Sequence, residues 1–276
     1  MKKIILSIIA FAAVTTLAAQ DLTILHLNDT HSHVEPERLG QINGHGGIIE
    51  QAIYISQVRE QMGKKNVLLL HAGDFSQGTS YFTELKGQIE IDNLNVMGYD
   101  AVTLGNHEFD NGMEALAGRL KQLNCPVVCA NYDFTGTPLD GIVKPYAIVK
   151  KAGRKIGIIG VLTDVSTVVD KSLNKGLVFQ NPIPIVQKYA DYLTNEKGCD
   201  LIICLTHLGD KASKSKGALI DQDLVAGTTG IDIVVGGHAH TKIEQMEVWK
   251  NAAGEDVVYV TDSQWGLEVG RLDVNF

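Results

Sequence analysis

The sequence has no Cys-x-x-Cys pair, no block rich in lysine or arginine, and no internal repeat or low-complexity stretch. The missing cysteine pair disfavours a thiolate zinc site. With 32 acidic against 24 basic residues and a formal charge of −8, the chain is a poor candidate for binding a nucleic-acid polymer through its phosphates. It also lacks a proline- or serine-rich linker, so no domain boundary is evident after residue 20.

Long apolar runs are scarce as well, and one of them lies at the N-terminus. Lys2 and Lys3 precede an apolar run over residues 4–14, and the small residues Ala18 and Ala19 follow it. This order is typical of a secretory signal peptide, and the run is shorter than the ~20 residues of a spanning helix. We therefore expect residues 1–19 to be a cleaved signal, with a membrane anchor as the alternative. The mature chain would be periplasmic or secreted and would have no membrane span.

The four cysteines give little information about redox state. On one extended segment, Cys125 and Cys129 would lie ~13 Å apart at ~3.3 Å per residue. That separation exceeds the ~4.4–6.8 Å that a disulfide allows, and a Cys199–Cys204 bridge is disfavoured for the same reason. A cross-pair such as Cys129–Cys204 and a set of buried free thiols both remain open.

Apolar, β-branched runs alternate with helical or loop segments along the chain. Such runs predict strands at residues 22–25, 67–70, 101–104, 127–130, 156–162, 201–205 and 231–235, and helices at residues 47–62, 89–97, 112–123 and 184–195. Near-continuous apolar strands between helices are typical of sheets that helices cover. After residue 231, residues 246–250 and 257–261 flank a turn and predict a hairpin, and residues 272–274 alternate as a strand does. We expect one α/β domain with mixed strand directions.

Five short segments place metal-type ligands just after strand-like runs. They are Asp29-Thr30-His31, Gly73-Asp74, Gly105-Asn106-His107-Glu108, Thr206-His207 and Gly237-His238-Ala239-His240. In open α/β sheets, ligands bind beyond the carboxyl ends of the strands, so one fold could bring all five segments to one rim. At a strand end, the spacing of Asp29 and His31 would point both side chains to the same side. Each segment alone could be an ordinary turn, but five in one order favour a nitrogen- and oxygen-liganded divalent metal site.

The order Asp-x-His, Gly-Asp, Gly-Asn-His-Glu, His and Gly-His-x-His resembles the calcineurin-like metallophosphoesterases. Residues 24–33 and 99–110 resemble the catalytic domain of secreted 5′-nucleotidases in particular. The resemblance spans residues 22–276 and implies a four-layer α/β/β/α sandwich with two mixed β-sheets. Residues 20–276 would then be the metallophosphoesterase catalytic domain, without the C-terminal domain that contacts the nucleoside in two-domain relatives.

The same resemblance implies two divalent cations, either Zn, Mn or Fe. The ligands of the first would be Asp29, His31, Asp74 and His240, and those of the second Asp74, Asn106, His207 and His238. Asp74 would bridge the two ions, and a metal-activated hydroxide would attack phosphorus directly. His107 would stabilise the transferring phosphoryl group or protonate the leaving oxygen, and Asp110 would orient the His107 ring.

The implied activity is hydrolysis of 5′-nucleotides or other small phosphomonoesters. Two alternatives remain: a phosphodiesterase or nucleotide pyrophosphatase with the same metals, and a subunit that is inactive without a separate C-terminal-domain partner chain. Where relatives usually have Ala-Arg after Gly-Gly, this chain has Ile48-Ile49 after Gly46-Gly47, which puts local contacts in doubt but not the metals. Trp265 and Phe75 could stack on a base, although isolated aromatic residues more often pack in the core.

Overall fold

The computed structural model describes residues 22–212 and 218–276, which form two six-stranded β-sheets. The expected signal peptide, residues 1–19, lies outside the described residues. The first sheet contains β1 (Leu22–Leu27), β2 (Val67–His71), β3 (Ala101–Thr103), β4 (Val127–Val128), β5 (Val143–Lys144) and β12 (Gly270–Val274). The second contains β6 (Tyr146–Lys151), β7 (Arg154–Leu162), β8 (Leu201–His207), β9 (Ile233–Val235), β10 (Glu247–Lys250) and β11 (Asp256–Val260).

Both sheets have a parallel centre, with one antiparallel edge strand in the first sheet and two in the second. The order of the first is β12-β1-β2-β3-β4-β5, in which only β12 runs antiparallel to its neighbour. The order of the second is β10-β11-β9-β8-β7-β6, in which β10 and β6 are the antiparallel strands. The parallel strands of each sheet therefore end at one common edge, which is where a ligand site is expected.

Helices cover the outer face of each sheet. They are α1 (Ile48–Met62), α2 (Ser80–Leu85), α3 (Gln88–Met97), α4 (Met113–Leu120), α5 (Pro182–Asp191), which continues as a π-helical turn over Tyr192–Glu196, and α6 (Asp221–Ala226). Short 3-10 turns form at Gly40–Ile42, Lys64–Asn66, His107–Phe109 and Val165–Thr167.

Three buried apolar clusters show how the layers stack. Ile55 of α1 and Ile91 of α3 pack with Leu25 on one face of β1. Ile24, on the opposite face of β1, packs with Ile158 of the second sheet. A third cluster contains residues of α5, α6 and the outer face of the second sheet. Three cores separate four layers, which confirms the expected α/β/β/α sandwich.

The predicted strands and helices all form, with shifted ends. The sequence patterns missed β5, β6, α2 and α6, which are short or only partly buried. The sequence suggested that His207 belongs to the loop after β8, but His207 is the last residue of that strand. All four cysteines are free, so the cross-pair Cys129–Cys204 is not formed. No helix within the described ranges is both long and apolar enough to span a bilayer.

Candidate metal centre

The five ligand-bearing segments meet where the parallel strands of both sheets end. Asp29 follows β1, Asp74 follows β2 and Asn106 follows β3, and these are adjacent strands of the first sheet. His207 ends β8 and His238 follows β9, which are adjacent strands of the second sheet. The site therefore lies across the junction between the two sheets.

The ligand atoms form two contiguous groups. In the first group, ligand atoms of Asp29, His31 and His240 all lie within 4.8 Å of one another, and in the second group the same holds for Asp74, His207 and His238. His31 Nε2 of the first group lies 3.9 Å from Asp74 Oδ2 of the second. His207 Nε2 of the second lies 3.8 Å from Asp29 Oδ1 of the first. Six of the seven predicted metal ligands are thus brought together in two groups that share a border.

The surroundings of His207 show that positive charge is needed where the two ligand groups meet. Its Nδ1–H donates to the Ala72 carbonyl at 2.7 Å, which leaves Nε2 as the free ring nitrogen. Nε2 is fully buried without a hydrogen-bond partner and lies 3.0 Å from Asp74 Oδ2. Burial acts to lower the pKa of His207, but the carboxylates of Asp74 and Asp29 raise it to about 10. Either a proton or a metal cation must therefore separate these acceptor atoms.

The first group and Asn106 have the same acceptor-rich character. His31 Nε2 and His240 Nε2 lie 3.0 Å apart, and His240 Nε2 lies 3.5 Å from Asp29 Oδ1. Asn106, the seventh predicted ligand, is buried, and its Oδ1 has no hydrogen-bond partner. Imidazole nitrogens and carboxylate and amide oxygens without thiolates form a donor set that suits Zn, Mn or Fe. The residues present therefore fit two divalent cations.

Five of the predicted ligands have left-handed backbone conformations. The φ values are 48° for Asp29, 47° for His31, 52° for Asp74, 74° for His238 and 54° for His240. The shared direction of Asp29 and His31 thus arises from a strained loop, and the expected strand alternation is wrong. Positive φ is uncommon outside glycine and costs on the order of 1–3 kcal/mol, so its concentration among these five residues is consistent with a candidate functional site.

Backbone hydrogen bonds hold the ligand loops against one another. Asp29 N–H donates to Gly73 O at 2.9 Å, and His31 N–H donates to Asp74 O at 3.0 Å. His238 N–H donates to Asp29 Oδ2 at 2.9 Å, which connects the loops of the two sheets. The side chain of Asn28 donates to the same Asp29 oxygen at 2.8 Å. These hydrogen bonds fix the orientation of the Asp29 carboxylate.

Glu108 has a role that sequence reasoning did not find. Its buried carboxylate accepts from the backbone N–H groups of Asp74 at 2.9 Å, Ser76 at 3.0 Å and Gly105 at 2.6 Å. Gly105 leaves space for this arrangement, because a Cβ there would lie 2.2 Å from Asp74 Oδ1. The Gly-Asn-His-Glu motif marked Glu108 as a candidate functional residue. The backbone N–H groups that it binds, however, could be identified only from the structure.

His107 lies on the rim with its ring beside the first ligand group. Its Nδ1 is 2.8 Å from Asp110 Oδ2, and the two ring centroids of His107 and His31 are 5.3 Å apart. Burial acts to lower the pKa of His107, but the hydrogen bond to Asp110 and the charge of Asp74 raise it overall. A partly exposed imidazole whose protonated form is favoured, beside the two candidate ligand groups, can stabilise negative charge or supply a proton.

The remaining strand histidines do not belong to either ligand group. His26 is buried in β1, and burial lowers its pKa to about 4. His71 Nε2 lies 3.1 Å from Thr30 Oγ1, and His71 Nδ1 accepts from Gly73 N–H at 3.2 Å. Burial lowers the pKa of His71 to about 3. Both side chains are buried and neutral at physiological pH.

Comparisons with known proteins agree with the fold. A family model described as calcineurin-like phosphoesterase matches residues 22–242. A probable 5′-nucleotidase of Treponema pallidum is 34% identical over 281 residues, which cover 93% of this chain and 45% of the relative. The crystal structure of a 5′-nucleotidase precursor from Thermus thermophilus has a TM-score of 0.82 at 34% identity and is matched over 51% of its length by 93% of this chain. Haemophilus influenzae NAD nucleotidase has a TM-score of 0.77 at 31% identity, over 92% of this chain and 52% of that one. The chain therefore spans about half the length of these relatives.

Proposed function

The chain belongs to the calcineurin-like phosphoesterase family, and on that premise we propose that it is a dinuclear-metal hydrolase of small phosphate monoesters. 5′-Nucleotides are the leading substrate class, because relatives that match most of this chain are named 5′-nucleotidases. The observation that carries the proposal is the meeting of two acceptor-rich ligand groups, one of which includes the buried, unpartnered His207 Nε2.

We assign the ligands as the sequence motifs suggest. Asp29, His31, Asp74 and His240 would hold the first cation, and Asp74, Asn106, His207 and His238 would hold the second. We assign Asp74 to both cations because its Oδ2 lies 3.0 Å from His207 Nε2 and 3.9 Å from His31 Nε2. When bound, the cations supply a nucleophilic water at neutral pH and polarise the phosphoryl oxygens.

His107 and Asp110 form the acid–base pair in this proposal. Asp110 accepts from His107 Nδ1–H and so fixes the tautomer and orientation of the ring. In its protonated form the ring donates from Nε2, either a proton to the leaving oxygen or a hydrogen bond to the phosphoryl group. Asp29 is held by Asn28 and His238 N–H, which keeps the first ligand group in place while substrate binds.

Cleavage of a phosphoanhydride is the second candidate activity. It is favoured by the similarity to NAD nucleotidase, which is named for a dinucleotide. The same ligand groups would serve both reactions, since the difference lies in how the leaving group is held. We also propose that the mature protein acts in the periplasm or outside the cell, and that a C-terminal domain or partner chain adds to nucleoside binding.

Assays of the purified chain with three substrates test the proposal. p-Nitrophenyl phosphate reports monoesterase activity, its bis-ester reports diesterase activity, and AMP reports nucleotidase activity. We expect monoester hydrolysis that stops with a chelator and returns with Mn²⁺ or Zn²⁺. Preference for the bis-ester would favour the diesterase alternative. Inertness with every metal and every substrate would reject independent catalysis and leave a binding or partner-dependent role.

A further inference from the structure

A loop outside the five motifs lies against the first ligand group. We call residues 261–267, which follow β11, the Trp265 loop. Trp265 N–H donates to the backbone oxygen of Asp29 at 2.7 Å. Ser263 N–H donates to the oxygen of Thr241, the residue after His240, at 3.1 Å. The loop is therefore connected to both of the segments that carry the first ligand group.

The Trp265 loop shares the backbone strain of the metal-ligand loops. Ser263 and Trp265 have φ values of 46° and 62°. For a side chain as large as indole, positive φ is a genuine outlier, and such outliers persist only where the surroundings enforce them. Ser263 and Trp265 thus share positive φ with Asp29, His31 and His240. The hydrogen bond from Trp265 N–H to Asp29 O places the Trp265 backbone beside the first ligand group.

His33 supports the Trp265 ring from one face. The two ring centroids are 4.7 Å apart with an interplanar angle of 13°, and the carboxylate of the largely buried Glu37 fixes the His33 ring through Nδ1. Trp265 remains partly exposed. Across the described ranges its indole N–H has no acceptor, whereas the other tryptophan, Trp249, donates to Glu247 at 2.8 Å. The stack is a preorganised aromatic surface with a free hydrogen-bond donor.

The ligand groups open toward this side. The side chain of His240 is 37% exposed, whereas that of His207 is fully buried. The opening at His240 gives the leaving group of a phosphoryl ester held between the two groups a path toward the Trp265 loop, which is hydrogen-bonded to the His240 loop through Ser263 N–H and Thr241 O. A phosphoryl group lies between the two ligand groups only if the proposed function is correct.

We propose that Trp265, supported by His33, is a stacking contact for a planar, ring-bearing leaving group. The ring could be an aryl group or a nucleobase, since every such ring presents a π-face to an indole. The contact would let this domain prefer aromatic esters over aliphatic ones by itself.

Steady-state kinetics with paired substrates test the contact. AMP and ribose 5-phosphate share the phosphate and sugar but differ in the base. Trp265→Leu should raise KM for AMP about five- to 150-fold, the range for loss of a base–aromatic stack, and change KM for ribose 5-phosphate less than about twofold. Trp265→Phe should restore most of the affinity, and p-nitrophenyl phosphate should follow AMP if any planar ring suffices. Trp249→Leu is the matched control, because Trp249 also stacks on a ring, Tyr259, at 3.9 Å. Equal losses for both substrates, or none, would overturn the inference.

Fluorescence separates failure of the contact from failure of the proposed function. The chain has two tryptophans, so Trp249→Phe leaves Trp265 as the single reporter and Trp265→Phe leaves Trp249. AMP should quench Trp265 and not Trp249, and ribose 5-phosphate should quench neither. Quenching by AMP in a catalytically inert protein would keep the contact and reject the activity. Catalysis without quenching or substrate selectivity would keep the activity and reject the contact.

Discussion

The backbone N–H of Asp74 donates to the buried carboxylate of Glu108 at 2.9 Å. Two further N–H groups, of Ser76 and Gly105, converge on the same carboxylate. Glu108 therefore joins the loop after β2 to the loop after β3, and these loops carry Asp74 and Asn106. The position of the proposed bridging carboxylate depends on a residue that binds no metal in this assignment.

We expect Glu108→Gln to destabilise the protein, because the amide replaces one acceptor oxygen by a donor that faces backbone N–H groups. An orphaned buried donor costs about 1–3 kcal/mol, so the free energy of unfolding should fall by that amount. Urea denaturation of chelator-treated protein measures it without a metal contribution. Glu60→Gln, at an exposed position of α1, is the control. Equal stability of the two variants would remove the structural role of Glu108.

Asp74→Asn should reduce binding of both cations together. The substitution removes the charge from the carboxylate that lies near both His207 and His31. Metal analysis after reconstitution and desalting should give well under two ions per chain. Asp92→Asn, at an exposed position, should have the same metal content as the parent protein. A variant that retains both ions would contradict the bridging assignment.

His107→Asn should leave metal content unchanged while kcat falls by ~10²–10⁴, the usual contribution of a positioned acid–base group. The reason is that His107 is not an assigned metal ligand, and its ring is hydrogen-bonded to Asp110, which is not one either. Rates with p-nitrophenyl phosphate, whose leaving group needs little protonation, should fall less than rates with AMP. Near-normal kcat on both substrates would exclude His107 from the mechanism.

Asp262 should make the stability of the metal-free protein depend on pH. Burial, with a smaller effect of Glu268, raises the pKa of Asp262 to about 7. The folded state then binds a proton that the unfolded state has released, so the free energy of unfolding falls as pH rises from about 4 to about 7. Each unit of pKa difference corresponds to about 1.4 kcal/mol.

Thermal unfolding of chelator-treated Asp262→Asn at about pH 5 and about pH 7.5, on either side of the shifted pKa, checks this expectation. The asparagine can still accept the hydrogen bond from Gly270 N–H but cannot ionise. The difference in Tm between the two pH values should be smaller in Asp262→Asn than in the parent protein. Asp256→Asn, at an exposed site of β11, should behave as the parent does. An unchanged pH difference in Asp262→Asn would reject the shifted pKa.

Much of the fold and the meeting of the ligand segments were predictable from the sequence. Apolar runs located the strands that were recognised, and the carboxyl-end rule placed Asp29, Asp74 and Asn106 at one edge. Short elements were missed because periodicity cannot be read from them: β5 has two residues and α6 has six. That the seven residues bind metal stays a prediction.

Contacts made through space were not predictable. The direction of His31 depends on left-handed backbone at φ 47° and not on strand alternation. Glu108 and the Trp265 loop act through hydrogen bonds between loops that are far apart in sequence, such as Trp265 N–H to Asp29 O. No local pattern encodes such partners, because they depend on which strand ends the sheet topology brings together.

The ligand groups draw side chains from both halves of the sandwich, with Asp74 after β2 and His207 at the end of β8. A cation bound by both side chains would cross-link the two sheets at the rim, where the apolar interior ends. The same ligands would then stabilise the packing of the two sheets and hold the catalytic metals, so separation of the sheets would also release the metals.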